Sequence, residues 1–333
     1  MKTGSENKQL PLGVLVLQQL LLAGFVLCVF LLCHLVLPGL LPRQAAVPLP
    51  EKAAPVPTAA PETPTETAAS PAADPGALPD RPGIFTAEIL RDETHYSSPD
   101  LRVTVTAYEH TEAFPTLTYY AADIYVHTLD VILTADPPDS QYLATPLAIA
   151  RDVGAVLAIN GDSNSHHDGV FLVRNGQLLR NDRTDSDICV LYRDGRMVTY
   201  GPGEYTAEAV LAEEPAQVWC FGPALLDGEG RPLDRFNIEN SLQASHPRTV
   251  LGYFEPGHYC FVVIDGRRPW HSMGADMATT ARVMSSLGCK AAYNLDGGAS
   301  SVMIFADKTV NLPSWDRKLS EAIVLRERPE VQP

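Results

Sequence analysis

The chain has 333 residues, 45% of them hydrophobic, and a formal net charge of -15. That length suffices for one large domain or two small ones. The acidic balance excludes a nucleic-acid backbone as partner, because phosphodiester polymers are bound by basic patches, but it leaves room for a small phosphorylated ligand held by one or two arginines.

Residues 12–37 are almost wholly apolar, with Gln18, Gln19 and His34 as the strongly polar exceptions. At about 1.5 Å per residue such a run crosses a bilayer core of about 30 Å. Lys2 and Lys8 precede it and Arg43 is the first basic residue after it, so the positive-inside bias puts residues 1–11 in the cytoplasm. A cleaved signal peptide is the alternative, but its core would be shorter, about 7–15 residues, with a better small-residue cleavage site than Gln44-Ala45-Ala46. Residues 38–83 are rich in Pro, Ala, Thr and Glu, which cannot bury enough surface to fold and read as a spacer. The expected organisation is a cytoplasmic tail (1–11), a transmembrane anchor (12–37), a disordered linker (38–83) and a globular domain (84–328) outside the cell.

Within the globular part, residues 101–108 alternate like a half-buried strand and residues 118–127 read as another. Residues 153–159 (VGAVLAI) form a short apolar run, expected to be a strand buried on both faces, ending at Asn160-Gly161-Asp162. Residues 170–179 read as a hairpin turning at Asn175-Gly176, and residues 188–200 as a second turning at Asp194-Gly195. Residues 218–226 and 259–264 are further apolar runs. Residues 276–287 carry helical spacing through Met277, Thr280 and Met284, with Gly288 where a C-terminal cap belongs. Residues 291–304 (AAYNLDGGASSVMI) place Asp296-Gly297-Gly298 between apolar runs, and residues 321–325 close the domain. Many strands and few helices imply an α+β fold with mixed β-sheets. The four cysteines of this part, Cys189, Cys220, Cys260 and Cys289, have apolar neighbours and no zinc-ligand spacing. They are expected to be buried thiols, with a Cys220–Cys260 disulfide as the alternative outside the cell.

Several apolar runs end in a polar turn: Asn160-Gly161-Asp162, Asp265-Gly266-Arg267 and Asn294-Leu295-Asp296-Gly297-Gly298, joined by His246-Pro247-Arg248-Thr249. Adjacent glycines allow backbone angles that aim N–H groups at an anion, although Asp-Gly-Gly is also an ordinary hairpin turn. Together these segments resemble the phosphodiester glycosidases, most of all their bacterial branch. AAYNLDGGASSVM is similar to the family's NLDGGGSS segment and HPRTVLGY to its NPRT-type segment; AINGD, VWCFGPALL and HYCFVVIDGR also match, in order, within residues 118–325. Ala299 stands where the family has a third glycine, Ser163 and Asn164 where the bacterial branch has aromatics, and His246 where it has Asn.

The resemblance implies hydrolysis of a sugar-1-phosphodiester in glycans or wall polymers. Glycosidic cleavage commonly uses two carboxylates; Asp296 is the first candidate, with Asp265 and Asp162 competing for the second role. Arg248 is the expected phosphate ligand, because a guanidinium grips two oxygens at once, with Arg267 and Thr249 beside it. Ser300, Ser301 and the N–H groups of Gly297 and Gly298 complete the anion cradle, and Asn160 and Asn294 bind sugar hydroxyls or orient the carboxylates. No G-x-S-x-G elbow surrounds Ser300, so a serine nucleophile is not expected. Adjacent His166 and His167 with Asp168 make a poor metal site, since neighbours on a strand point apart, and His258 reads as structural. No cofactor is expected, although loop carboxylates are chemically able to hold a structural calcium ion. The partners implied are the phosphorylated polymer and the lipid bilayer. A non-catalytic carbohydrate- or phosphoglycan-binding module on the same fold is the competing reading, supported by the Ala299 and Ser163 departures.

Overall fold

The computed structural model describes residues 78–110, 115–140, 142–163 and 168–328, all within one compact unit, Leu49–Pro333. The expected tail, anchor and most of the linker lie outside the described residues. Among the described residues no helix is long and apolar enough to cross a membrane.

Three sheets carry the fold. The first has seven strands in the order β1 (Leu90–Arg91), β2 (His95–Ser97), β3 (Leu101–His110), β4 (Leu117–Val126), β13 (His258–Ile264), β12 (Arg248–Glu255) and β14 (Ala291–Asn294). The second runs β10 (Met197–Tyr200), β9 (Ile188–Tyr192), β11 (Pro215–Trp219), β7 (Phe171–Arg174) and β8 (Gln177–Asn181). The third runs β16 (Lys308–Thr309), β15 (Met303–Phe305), β6 (Leu157–Asn160), β17 (Ala322–Leu325) and β5 (Ile132–Ala135). Every pairing among these strands is antiparallel. The α+β class therefore stands, but the parallel pairing that mixed sheets imply is not found.

All three sheets contribute to one core. Leu101, Val103, Ile124 and Leu251 from the first meet Leu191 and Trp219 from the second and Ile159, Met303 and Ile323 from the third. The alternation read in residues 101–105 is the physical cause for β3: Leu101, Val103 and Val105 are buried, while Arg102 and Thr104 are partly exposed. β6 is buried at every position, as its continuous apolar run demands. Its first four expected residues go instead to the end of a short helix and the turn that follows.

That helix, α1 (Pro146–Asp152), has Thr145 as N-cap and Pro in its first turn, and it covers the outer face of the third sheet through Ile149 and Ala150. α2 (Ala207–Ala212), capped by Thr206, covers the second sheet through Val210. α3 (Asn240–Gln243) is a single turn. α4 (Met277–Ser286) is the helix expected from spacing: Asp276 caps it, accepting from Thr279 N at 2.7 Å, and Gly288 takes φ +90 beyond its end. A Cβ on Gly252 of β12 would stand 2.6 Å from Met284 Cε, so α4 packs onto the first sheet at a point only glycine leaves open.

The folded unit begins earlier than composition suggested. Leu78 packs against the core and Arg81 donates to Glu255 at 2.8 Å, so residues 78–83 are not linker. Cys189, Cys220, Cys260 and Cys289 are buried. Burial pushes the Cys189 and Cys220 thiols up, and Cys260 faces Cys289, so the Cys220–Cys260 bridge is not formed.

The second and third sheets are joined by a buried ion cluster. Arg174 of β7 donates from Nη2 to Asp162 Oδ1 at 2.7 Å and to Glu321 Oε1 at 3.1 Å, and from Nε to Glu321 Oε2 at 3.2 Å. Burial, helped by the Asp162 charge and opposed by Arg174, pushes the Glu321 carboxyl up to about 8. Removing the cation leaves buried acids without a partner, so Arg174→Met should lower the unfolding free energy by about 3–5 kcal/mol in urea titrations. Because the folded pKa of Glu321 is raised, its contribution is fully present below its ordinary value of 4.5 and is lost as pH rises through about 8. Stability measured across that window should fall less steeply in Glu321→Gln than in the wild type.

Candidate active site

The polar turns singled out in the sequence meet at one edge of the core. β14 delivers Asn294, after which Leu295 N donates to Thr249 O at 2.8 Å and Gly298 N to Pro247 O at 2.9 Å. The Asp-Gly-Gly turn thus lies along the His246–Thr249 segment. From β6, Asn160 Nδ2 donates to Asp296 O at 2.7 Å, while its Oδ1 accepts from Thr249 Oγ1 at 2.6 Å and Val302 N at 3.3 Å. Asn294 reaches the loop after β11, donating from Nδ2 to Gly222 O at 2.8 Å. Asp162 Oδ2 accepts from Cys220 N at 2.8 Å in the same loop.

Asp296 is the carboxylate this scaffold presents. Its Oδ2 accepts from Ser300 Oγ at 2.5 Å and Ser163 Oγ at 2.9 Å, and lies 3.9 Å from Arg317 Nη1. Its side chain is 15% exposed, and Oδ1 has no hydrogen-bond partner among the described residues. Gly298 takes φ +63, and a Cβ there would stand 2.9 Å from Arg267 Nη2. The backbone angle favours glycine here, and the Arg267 guanidinium covers the turn closely. Gly297 is required by space alone, since a Cβ would meet Pro247 O at 2.8 Å. Ala299 sits inside a 3-10 turn, Gly298–Ser300, and has no positive φ, so replacing the family's third glycine costs no backbone strain.

The other expected carboxylates are withdrawn from the cleft. Asp162 is fully buried, held by Arg174 and the Cys220 amide. Asp265 is buried as well: Oδ1 accepts from Asn311 Nδ2 at 2.9 Å and Leu312 N at 3.1 Å, and Oδ2 from His271 Nε2 at 2.7 Å. Both carboxylates expected as candidates for the second catalytic role are thus engaged by buried donors in the structure. Asp265 instead anchors residues 311–312 and aims His271, which is partly exposed.

Arg248, the expected phosphate ligand, is engaged by backbone. It is buried, with Nε on Ala275 O at 2.9 Å and Nη2 on Leu242 O at 2.8 Å and on Ala244 O. Burial lowers its pKa to about 10, opposed by Asp276. A guanidinium so spent clamps backbone rather than gripping two phosphate oxygens. Thr249, Asn160 and Asn294 are likewise buried and act as supports, and Ser301 is buried with Oγ unpartnered. The exposed cations beside Asp296 are Arg267, which the sequence offered second, and Arg317, which it did not offer. Arg317 and His271 sit in loops without apolar periodicity, so only the folded chain brings them here. Ser163, expected only as a departure from the family, is the hydroxyl that holds Asp296.

Among the described residues no group of three or more His, Cys, Asp or Glu is placed to hold a metal. His166 and His167 lie outside the described residues, and Asp168 pairs with Arg180 at 3.1 Å. His258 bonds Asp123 at 2.7 Å and stacks on Tyr125 and Phe254.

Comparison with known proteins agrees with the segment matches. The chain is 27% identical over 186 residues to the SPbeta prophage-derived uncharacterized protein YomE of Bacillus subtilis (strain 168), which covers 52% of this chain and 29% of that protein. The chain thus spans under a third of the length of that relative. In fold it is similar to the zebrafish N-acetylglucosamine-1-phosphodiester alpha-N-acetylglucosaminidase catalytic domain auto-inhibited by pro-peptide, with TM-score 0.57 and 18% identity over 72% of this chain and 88% of that one. A hypothetical protein from Synechocystis follows, with TM-score 0.51 and 13% identity over 69% of this chain and 63% of that one. The phosphodiester glycosidase family model matches residues 153–326, just over half of the chain and the span that holds the Asp296 turn with Asn160, Arg267 and Arg317, and the chain therefore belongs to the phosphodiester glycosidase family.

Proposed function

We propose that this protein hydrolyses sugar-1-phosphodiester bonds in glycans or wall polymers, and that residues 12–37 anchor it in the membrane with the catalytic domain outside the cell. The observation that carries the catalytic reading is the setting of Asp296: a partly exposed carboxylate, oriented by Ser163 and Ser300, with Arg317 and Arg267 alongside. The anchor and its orientation rest on the apolar run and the flanking lysines alone.

The chemistry follows from the leaving group. An ordinary glycoside departs as an alkoxide and needs a protonating acid, hence the usual carboxylate pair. A phosphodiester departs as a phosphate monoester anion, which needs its charge stabilised rather than a proton. In the proposed step the bond between the anomeric carbon and the phosphate oxygen breaks, its electron pair leaving with the phosphate. A water oxygen becomes the new anomeric substituent and its proton is released. Asp296 Oδ1 faces the sugar carbon, and Arg317 and Arg267 take the phosphate charge. Arg317 is 51% exposed, so it can reorient from Asp296 toward a bound anion.

The departures that supported a non-catalytic module are accommodated locally: Ala299 has an ordinary backbone angle and Ser163 bonds the carboxylate. The full chain incubated with an N-acetylglucosamine-1-phosphodiester should release free sugar. Asp296→Asn should cut kcat by about 10²–10⁴-fold, and release unchanged in that variant removes Asp296 from the mechanism. Arg317→Ala should lower kcat/KM by about 10–100-fold, the worth of a charge-assisted contact. Arg248→Met, by contrast, should show first as a lower thermal midpoint, because its donors hold backbone carbonyls.

A further inference from the structure

A cavity of about 620 Å³ opens directly off the Asp296 turn. Two cations, Arg268 and Arg317, and one carboxylate, Asp316, line it together with Ser300, whose hydroxyl bonds Asp296. Arg268 Nη2 donates to Pro313 O at 3.1 Å, while its Nε is buried with no partner. The rest of the wall is mainly aliphatic and aromatic, through Leu147, Leu312, Pro313 and Trp315. Leu312 is 44% and Trp315 73% exposed, an unusual exposure for two large apolar side chains beside a polar site.

Thr309, Ser314 and Asp316 also line the cavity, with Ser314 Oγ buried and unpartnered, but two other polar groups of the wall are committed elsewhere. Asn311 gives Nδ2 to Asp265 and to Ser301 O, and its Oδ1 accepts from Met303 N. Thr145 Oγ1 caps α1 by accepting from Ala148 N. Sugar hydroxyls pressed against the surface of Leu147, Leu312, Pro313 and Trp315 would lose water without gaining partners. An alkyl chain pressed there would gain by burial. The cavity therefore matches an amphiphile, with its anionic end at the arginines and its chain along Leu312 and Trp315.

We propose that this cavity receives the alcohol side of the phosphodiester and that this alcohol is an alkyl chain, so the preferred substrate is a sugar 1-phosphate esterified to a long-chain alcohol. Hydrolysis then yields the free sugar and an alkyl phosphate. The proposal rests on the reading of Asp296 and its flanking arginines as the cleavage site, and it assigns Leu312 and Trp315 as specificity residues.

The test compares kcat/KM of the full chain on the methyl and octyl phosphate esters of N-acetylglucosamine 1-phosphate. The octyl ester should be favoured at least about tenfold, the effect of burying only a few methylenes. Leu312→Asp and Trp315→Ala, both at exposed positions, should each bring the octyl-to-methyl ratio toward one. A wild-type ratio near one, or a ratio that neither variant changes, overturns the proposal. If the wild type cleaves neither ester, the catalytic reading fails, and calorimetry with octyl phosphate and methyl phosphate decides the cavity separately. Octyl phosphate binding at least tenfold tighter and weakened by Leu312→Asp supports it; equal binding of the two overturns it.

Discussion

The site depends on one buried amide. Asn160 ends β6 with its side chain inside the protein, and every hydrogen bond it makes joins segments far apart in the chain or fixes its own turn. Its donor end holds the Asp296 carbonyl; its acceptor end holds the Thr249 hydroxyl and the Val302 amide. Three segments are thereby placed by one group with no rotational freedom left. An aspartate there would bring an unpaired charge against the Asp296 carbonyl, and a leucine would leave Thr249 and Val302 without a partner, each a desolvation cost with no return. Buried polar networks of this kind specify geometry when fully satisfied, and geometry is what a carboxylate acting on one carbon requires.

Behind the amide stands the charge cluster of Asp162, Arg174 and Glu321. A Cβ on Gly161 would lie 2.5 Å from Glu321 Oε1, so the residue between Asn160 and Asp162 must be glycine for the cluster to approach the strand. Such clusters seldom add stability over a well-packed apolar core. Here the cluster binds the end of β6 to the loop after β11 through the Cys220 amide, and so keeps the hub from shifting. Strain collects on the near side: Ser163 and Arg267 both hold positive φ, at 61 and 63. Conformations of that kind persist where the surroundings over-determine them. Both residues end at the Asp296 turn, one by a hydroxyl bond and one by its guanidinium over Gly298. Rigid support behind and strained reach in front meet at the same carboxylate.

Much of this was legible in the sequence, for reasons that differ by residue. Strand alternation in residues 101–105, the hairpins at Asn175-Gly176 and Asp194-Gly195, and the helical spacing of residues 276–287 ended by Gly288 are local signals that the structure bears out. α1 and α2 were passed over because they are short, although Thr145-Pro146 and Thr206 carried capping signals. The meeting of the polar turns was legible as a set, since each ended an apolar run. Which member faces outward was not. An Asp beside a Gly in a turn reads alike at positions 162, 265 and 296; only the neighbours contributed by β7, by residues 311–312 and by His271 decide that two turn inward. Arg248 misled for the same reason: a guanidinium suits a carboxylate, a phosphate or three backbone carbonyls equally well. Arg317 carried no local signal, because its place comes from a loop tied down by Asp265 through Leu312 N.

That tie has a consequence for how the site divides its labour. Asp265 fixes residues 311–312 and, through Asn311, the Ser301 carbonyl, so a single buried carboxylate sets the distance between the Asp296 turn and the loop that carries Leu312, Trp315 and Arg317. In the proposed reaction, the end of the cleft that would act on the sugar is built from strand termini and buried amides, which tolerate little change. The end that would meet the departing group is a loop tied at Leu312 N and Pro313 O, with the exposed side chains of Trp315 and Arg317 after them. A leaving group already stabilised as an anion asks little of the protein beyond cations at the right distance, and a loop can supply those while its other side chains vary. Withdrawing Asp265 from the cleft is therefore compatible with catalysis in a way it would not be for an alkoxide leaving group: the carboxylate that acid catalysis would have needed is free to serve as the fastening between chemistry and recognition.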